Sequence, residues 1–218
     1  SDVCSSDLGL VVKSRTDLAE HKLSYAHDHV SVGDFLGAIK TLKPTAIIGV
    51  AAVGGTFTQE VLEAMAAINE RPIVFALSNP TSQAECTAEE AYRWTKGRAL
   101  FACGSPFDPV QFNGRNYVPR QGNNSYIFPG VGLGAIVSRA RQVTDDMFMT
   151  AAHTLAHLVT EADLEQGSLY PALPRIREVS QHIAHAVAET AAKSGLAGAA
   201  PRLDMLKHIG SQMYNPNY

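Results

Sequence analysis

Short unbroken apolar runs alternate along the chain with stretches whose apolar residues recur every three or four positions, and this alternation lays out most of the elements. Three runs read as strands buried on both faces: Ala46-Ile-Ile-Gly-Val-Ala51, Ile73-Val-Phe-Ala-Leu77 and Ala99-Leu-Phe-Ala-Cys103. Pro80 removes a ladder donor and pushes Asn79 out of the helical region, so the second run stops at Ser78-Asn79. Helical spacing links Val32, Phe35, Leu36 and Ile39. It returns at Val61, Leu62, Met65 and Ile68 behind a Thr58 cap, and again after the capping box Thr87-Ala-Glu-Glu90. Strand, helix and strand in this order predict right-handed βαβ units and a parallel sheet.

Asn113-Gly114 between Val-Gln-Phe and Asn-Tyr-Val predicts a β-hairpin. Pro129 opens a helix through the small-residue segment Gly130 to Val137. The last third reads as helical. One helix is capped at Thr144-Asp-Asp146 with Phe148, Ala151, Ala152, Leu155 and Val159 inward. A second follows Pro174, with Ile176, Val179, Ile183 and Val187 on one face and Gly195 closing it. Residues 197–218 show little pattern and are expected to wrap the surface. Residues 1–8 have no period, begin without Met and are read as a non-native scar. Residues 14–33 read as a solvated loop.

Composition narrows the class. With 218 residues and 45% hydrophobic content the chain can bury a sizeable core, and a formal charge of −3 gives no reason to expect nucleic acid. No apolar run reaches the ~18–20 residues of a membrane span. Three cysteines without metal spacing suit a reducing compartment, so the expectation is a cytoplasmic α/β protein without a membrane or nucleic-acid partner.

Several motifs invite chemistry that their surroundings do not support. Gly130-Val-Gly132-Leu-Gly-Ala135 spells G-x-G-x-x-A, but Pro129 separates it from any strand and the acids downstream sit at a helix cap, so close helix packing is the better account. His153 and His157 are four apart on a helix without the Glu of H-E-x-x-H, and His27-Asp28-His29 lacks a third ligand nearby. What remains is a set of polar groups at strand ends or just after them: Asn79, Ser105 and the pair Asn123-Asn124. In an open α/β sheet the carboxyl ends of the strands are where ligands sit. Carboxamides there could hold a carboxylate, a hydroxyl or a nicotinamide amide without adding charge.

Seven motifs in order, Ile47-Ile-Gly-Val50, Gly55-Thr-Phe-Thr58, Phe75-Ala-Leu-Ser-Asn-Pro-Thr81, Ala84-Glu-Cys-Thr-Ala-Glu-Glu90, Gly104-Ser-Pro-Phe107, Gln121-Gly-Asn-Asn124 and Ile127-Phe-Pro-Gly-Val-Gly-Leu-Gly134, resemble the C-terminal part of malic enzymes over roughly residues 9–195. The aromatic tail from Tyr214 to Tyr218 is also similar to the family's C-terminus. The resemblance implies a partial Rossmann-like parallel sheet with flanking helices, a β-hairpin and a C-terminal helical segment. Residues 9–140 would form the second half of an NAD(P)-binding domain, and residues 141–218 C-terminal helices and tail. It further implies oxidative decarboxylation of malate to pyruvate and CO2, with NAD or NADP taking the hydride and Mg or Mn assisting. Asn79 and Asn123 would contact malate, Asn124 the nicotinamide side, and Ala51, Ala52 and Ser78 the cofactor crevice. A dimer or tetramer of the full-length chain is implied as well.

The family's Tyr acid, Lys base, carboxylate metal ligands and glycine-rich turn all lie upstream of the match, and Asp7 has the wrong spacing to Gly9 for the ribose-binding acid. No catalytic residue and no metal ligand is therefore assigned in this chain, and the chain alone is expected to be inactive and short of sheet cover. Lys22 and Ser24 leave NAD against NADP open. A malolactic relative that releases lactate, or a non-catalytic nucleotide- or partner-binding module, are the alternatives.

Overall fold

The computed structural model describes residues 5–6, 9–200 and 202–214, which form two compact units, Ser1–Gly114 and Arg115–Tyr218. The suspected scar lies mostly outside the described residues. Within it, β1 (Ser5–Ser6) pairs antiparallel with β2 (Gly9–Leu10). Leu10 and Val12 are buried with Ala38 of α1 (Phe35–Leu42), which Asp34 caps by accepting the Gly37 N–H at 2.7 Å. Val32 falls outside that helix and packs against the same cluster. The polar stretch before it holds a 3-10 turn, Glu20–Tyr25, with no buried residue.

The first unit is built on a parallel sheet of β3 (Ala46–Gly49), β4 (Ile73–Ala76) and β5 (Leu100–Cys103) in the order β3-β4-β5. In register, Ile47 lies beside Val74 and Val74 beside Phe101. All three are buried, because a βαβ connection lays helices over the sheet. The crossover helices are α2 (Gln59–Ile68) and α3 (Ala88–Trp94). Thr58 caps α2 through the Val61 N–H, and the reciprocal Thr87–Glu90 box caps α3. Val61, Leu62 and Met65 of α2 are buried, whereas Ile68 stays 37% exposed at the last turn. Asn113 and Gly114, at φ 51° and 75°, make the tight turn that links β6 (Val110–Phe112) to β7 (Arg115–Tyr117), as the Asn-Gly pair predicts.

The second unit is helical: α4 (Phe128–Ser138), α5 (Asp145–His157), α6 (Glu161–Glu165), α7 (Ile176–Lys193) and α8 (Met205–Gln212). Val179, Ile183 and Val187 run down the buried face of α7, as their spacing requires. Three expectations need correction here. Ala151 and Leu155 of α5 are inward as expected and Met147 joins them, but Phe148 is 44% exposed and Ala152 is exposed, so the buried stripe is displaced toward Met147. Thr144 has the extended backbone of a cap, yet its hydroxyl is buried without a partner. The segment after Ala197 is also more ordered than expected, since α8 buries Met205 and Ile209 against Ala184 and Ala188 of α7. Two apolar residues four apart are too few to announce so short a helix.

Candidate functional site

The carboxyl edge of the parallel sheet gathers the sequence candidates of the first unit. Beyond β4 the chain continues extended, with the Leu77 N–H donating to Gly49 O at 3.0 Å, and then reaches Ser78 and a cis Asn79–Pro80 peptide. Ser78 faces inward and is 5% exposed. Its hydroxyl donates to Glu85 Oε1, its N–H donates to Glu85 Oε2 at 3.3 Å, and its oxygen accepts the Ala52 N–H at 2.9 Å. Asn79 faces outward. Its Oδ1 accepts the Ser105 hydroxyl at 2.6 Å, which leaves the Nδ2 hydrogens as the groups offered to a ligand. Ala51 and Ala52 lie exposed in the loop after β3, with Ala52 in the left-handed region at φ 54°.

In the second unit Asn123 precedes a 3-10 turn, Asn124–Tyr126, and its Oδ1 accepts the Ser125 N–H at 2.9 Å. Like Asn79, it therefore offers donors. Asn124 is exposed beside it. Arg120 anchors the segment on one side, donating to Asp163 Oδ1 at 2.6 Å and Tyr170 O at 2.5 Å. Tyr126 anchors it on the other, buried against Tyr170 with its hydroxyl on Pro171 O at 2.6 Å. Burial pushes both phenols up, so they stay neutral donors. Burial also pushes Asp163 up, but its bonds from Thr160 and Arg120 outweigh that and hold the carboxyl below its usual range.

The motifs set aside on sequence grounds fall where packing requires. Gly130 and Gly134 lie inside α4, where a Cβ would come 2.6 Å from Ile183 Cβ and 2.7 Å from Ala184 O; these two glycines, four apart, form the helix contact, and Gly132 between them faces away from it. His153, His157 and His182 line a shallow groove between α5 and α7, and His157 Nδ1 bonds to His153 O at 2.7 Å. Among the described residues, no three His, Cys, Asp or Glu side chains group as metal ligands, and no helix is long and apolar enough to cross a membrane. Cys86 and Cys103 are buried thiols in no disulfide. Desolvation pushes Cys103 up to about 11 and Cys86 further.

Sequence reasoning missed the role of Glu85. It is 1% exposed and bonded at the strand end, and among the described residues no Lys or Arg pairs with it. Its one local signal was its place between the small residues Ala84 and Cys86; the surrounding segment, from Thr81 to Glu90, is otherwise polar and reads as solvated.

A parallel sheet with crossover helices, with a small-residue loop at its carboxyl edge, is a Rossmann-type α/β arrangement. A family model described as "Malic enzyme, NAD binding domain" matches residues 3–192. The chain is 54% identical over 212 residues to NADP-dependent malic enzyme 1 of Arabidopsis thaliana, covering 96% of this chain and 36% of that protein. It is 52% identical to the NADP-dependent malic enzyme of Vitis vinifera, with the same coverage. Among solved structures, malic enzyme from Pyrococcus horikoshii aligns with a TM-score of 0.63 at 30% identity, over 83% of this chain and 37% of that one. The Entamoeba histolytica malic enzyme shares the fold, at TM-score 0.75 and 24% identity over 96% of this chain and 42% of that one. The chain belongs to the malic enzyme family, and it spans about a third of the length of these plant relatives.

Proposed function

We propose that this chain is the cofactor-side part of a larger malic enzyme, serving the oxidation of (S)-malate by a nicotinamide cofactor with release of pyruvate and CO2. The observation that carries this reading is exposed Asn79 at the carboxyl end of β4, its carbonyl oxygen held by Ser105, which leaves its amide N–H groups as the donors for a ligand. Asn79 and Asn123 donate to malate oxygens, and Asn124 faces the nicotinamide. The loop at Ala51 and Ala52 admits the cofactor through its backbone, and its small exposed residues fit close approach by a flat group. The relatives named NADP-dependent favour NADP over NAD. When bound, the nicotinamide would supply the hydride acceptor for C2 of malate. Loss of CO2 from the resulting oxoacid leaves an enolate that is protonated to pyruvate.

Mg or Mn assists in this reading, but the described residues present no ligand group for it, so no step is assigned to a metal through this chain. The acid, base and metal ligands belong to the part that the shared length with the plant relatives leaves out. Among the described residues no strand pairs with the outer edge of β3, and Ile48 and Val50 there are 60% and 73% exposed, which supports further sheet beyond it. The purified chain is therefore inactive alone, while the longer protein forms a homo-oligomer with activity. Malate-dependent NADPH formation by the 218-residue chain would overturn the first half of this statement. Product analysis of the longer protein tests the second, because lactate in place of pyruvate would mark a malolactic enzyme.

A further inference from the structure

We infer that Glu85 is a positioning residue for the cofactor crevice, acting through the Ser78 hydroxyl on the Ala52 N–H, so that a buried acid sets nucleotide affinity without touching nucleotide. The inference rests on the reading of this edge as the cofactor side.

A carboxylate only accepts hydrogen bonds, so the direction of each link is fixed. The Ser78 O–H must point to Glu85 Oε1 and the Ser78 N–H to Oε2, which leaves the Ser78 lone pair for Ala52 N–H at 2.9 Å. That bond holds Ala52 in the left-handed region, which an alanine rarely adopts unaided. The main chain around Glu85 grips the same loop further along: Gly55 N–H donates to Ala84 O at 3.1 Å and Phe57 N–H to Glu85 O at 2.9 Å. Glu85 fits because Gly49, the last residue of β3, has no side chain; a Cβ there would overlap the Glu85 carboxyl. A buried acid with no cation beside it is costly to keep, and a mere strand filler would be apolar. The loop it holds, residues 51–56, is exposed and small, so its shape depends on what grips it from below.

The test uses the full-length protein, with Glu85→Gln and Ser78→Ala compared to wild type. The Glu85→Gln substitution places an amide donor where two acceptors are needed, which turns the Ser78 hydroxyl toward Ala52. Ser78→Ala removes the relay and keeps the acid. Both variants are expected to raise the dissociation constant for NADP about tenfold and to speed hydrogen exchange at the Ala52 amide, with the malate KM at saturating NADP changed by less than about twofold. Asn79 is held separately by Ser105, which is why the two constants part. Unchanged NADP affinity in folded variants overturns the inference, as does an equal rise in both constants. If Glu85→Gln does not fold, Ser78→Ala decides; if neither folds, Glu85 is a folding determinant and the inference fails. Absence of NADP binding by the wild-type protein would instead sink the cofactor reading itself.

Discussion

Substituting two glycines of α4 by alanine tests which of the glycines in the segment from Gly130 to Ala135 serves helix packing. Gly132 is exposed on the helix, and a Cβ added there meets nothing within 4 Å. Gly132→Ala therefore gains only from reduced backbone entropy in the unfolded chain, about 0.5–1 kcal/mol. At Gly134 the same Cβ would lie 2.7 Å from Ala184 O and 2.8 Å from Val187 Cβ. Neither neighbour is the loose end of a flexible chain, so α7 must move away from α4, at a cost of ~1–3 kcal/mol that exceeds the entropic gain. The two variants should differ by about 1–3 kcal/mol, Gly132→Ala above wild type and Gly134→Ala below it. For a unit of this size each kcal/mol moves the thermal midpoint by roughly 4–8 °C. Far-UV circular dichroism during heating and in urea reads both shifts. A Gly134→Ala chain as stable as wild type would refute the packing account, and so would a Gly132→Ala chain as damaged as Gly134→Ala.

Two further outcomes concern the buried charges and thiols. Asp163→Ala removes the acceptor of Arg120 and half of the Thr160 capping box, with the pair's side chains 14% and 11% exposed, so it should cost ~3–5 kcal/mol in urea titrations; Asp163→Asn should cost less. Because the folded Asp163 carboxyl lies below its unfolded value of about 3.9, the stabilisation is complete above that pH and is lost as the pH falls through the lower folded value. A wild-type chain whose stability margin over Asp163→Ala is unchanged in acid would contradict this. Cys86 and Cys103 should resist alkylation at pH ~8 in the folded chain and react once it is denatured, as peptide mapping by mass spectrometry would show; labelling of either in the folded protein would contradict their burial.

Features that depend on near neighbours were legible in the sequence. Continuous apolar runs marked β3, β4 and β5, although in β3 only one face is buried here and Ile48 on the other is exposed; Thr58, Thr87 and Asn113-Gly114 marked their caps and turn because those residues bond within three positions of themselves. Asn79 could be placed at a strand end for the same reason. Features that depend on a distant partner were settled only by the packing of the folded chain. Periodicity states which residues of α5 share a face but not which stripe meets α7, and the contact chose Met147 over Phe148. Gly132 and Gly134 look alike in sequence and differ only because α7 crosses one of them. Ser78 and Asn79 are adjacent, yet one is buried under Glu85 and the other is turned out to solvent. That division is set by an acid seven residues downstream and by Gly49 on the neighbouring strand, whose missing side chain leaves the acid its space.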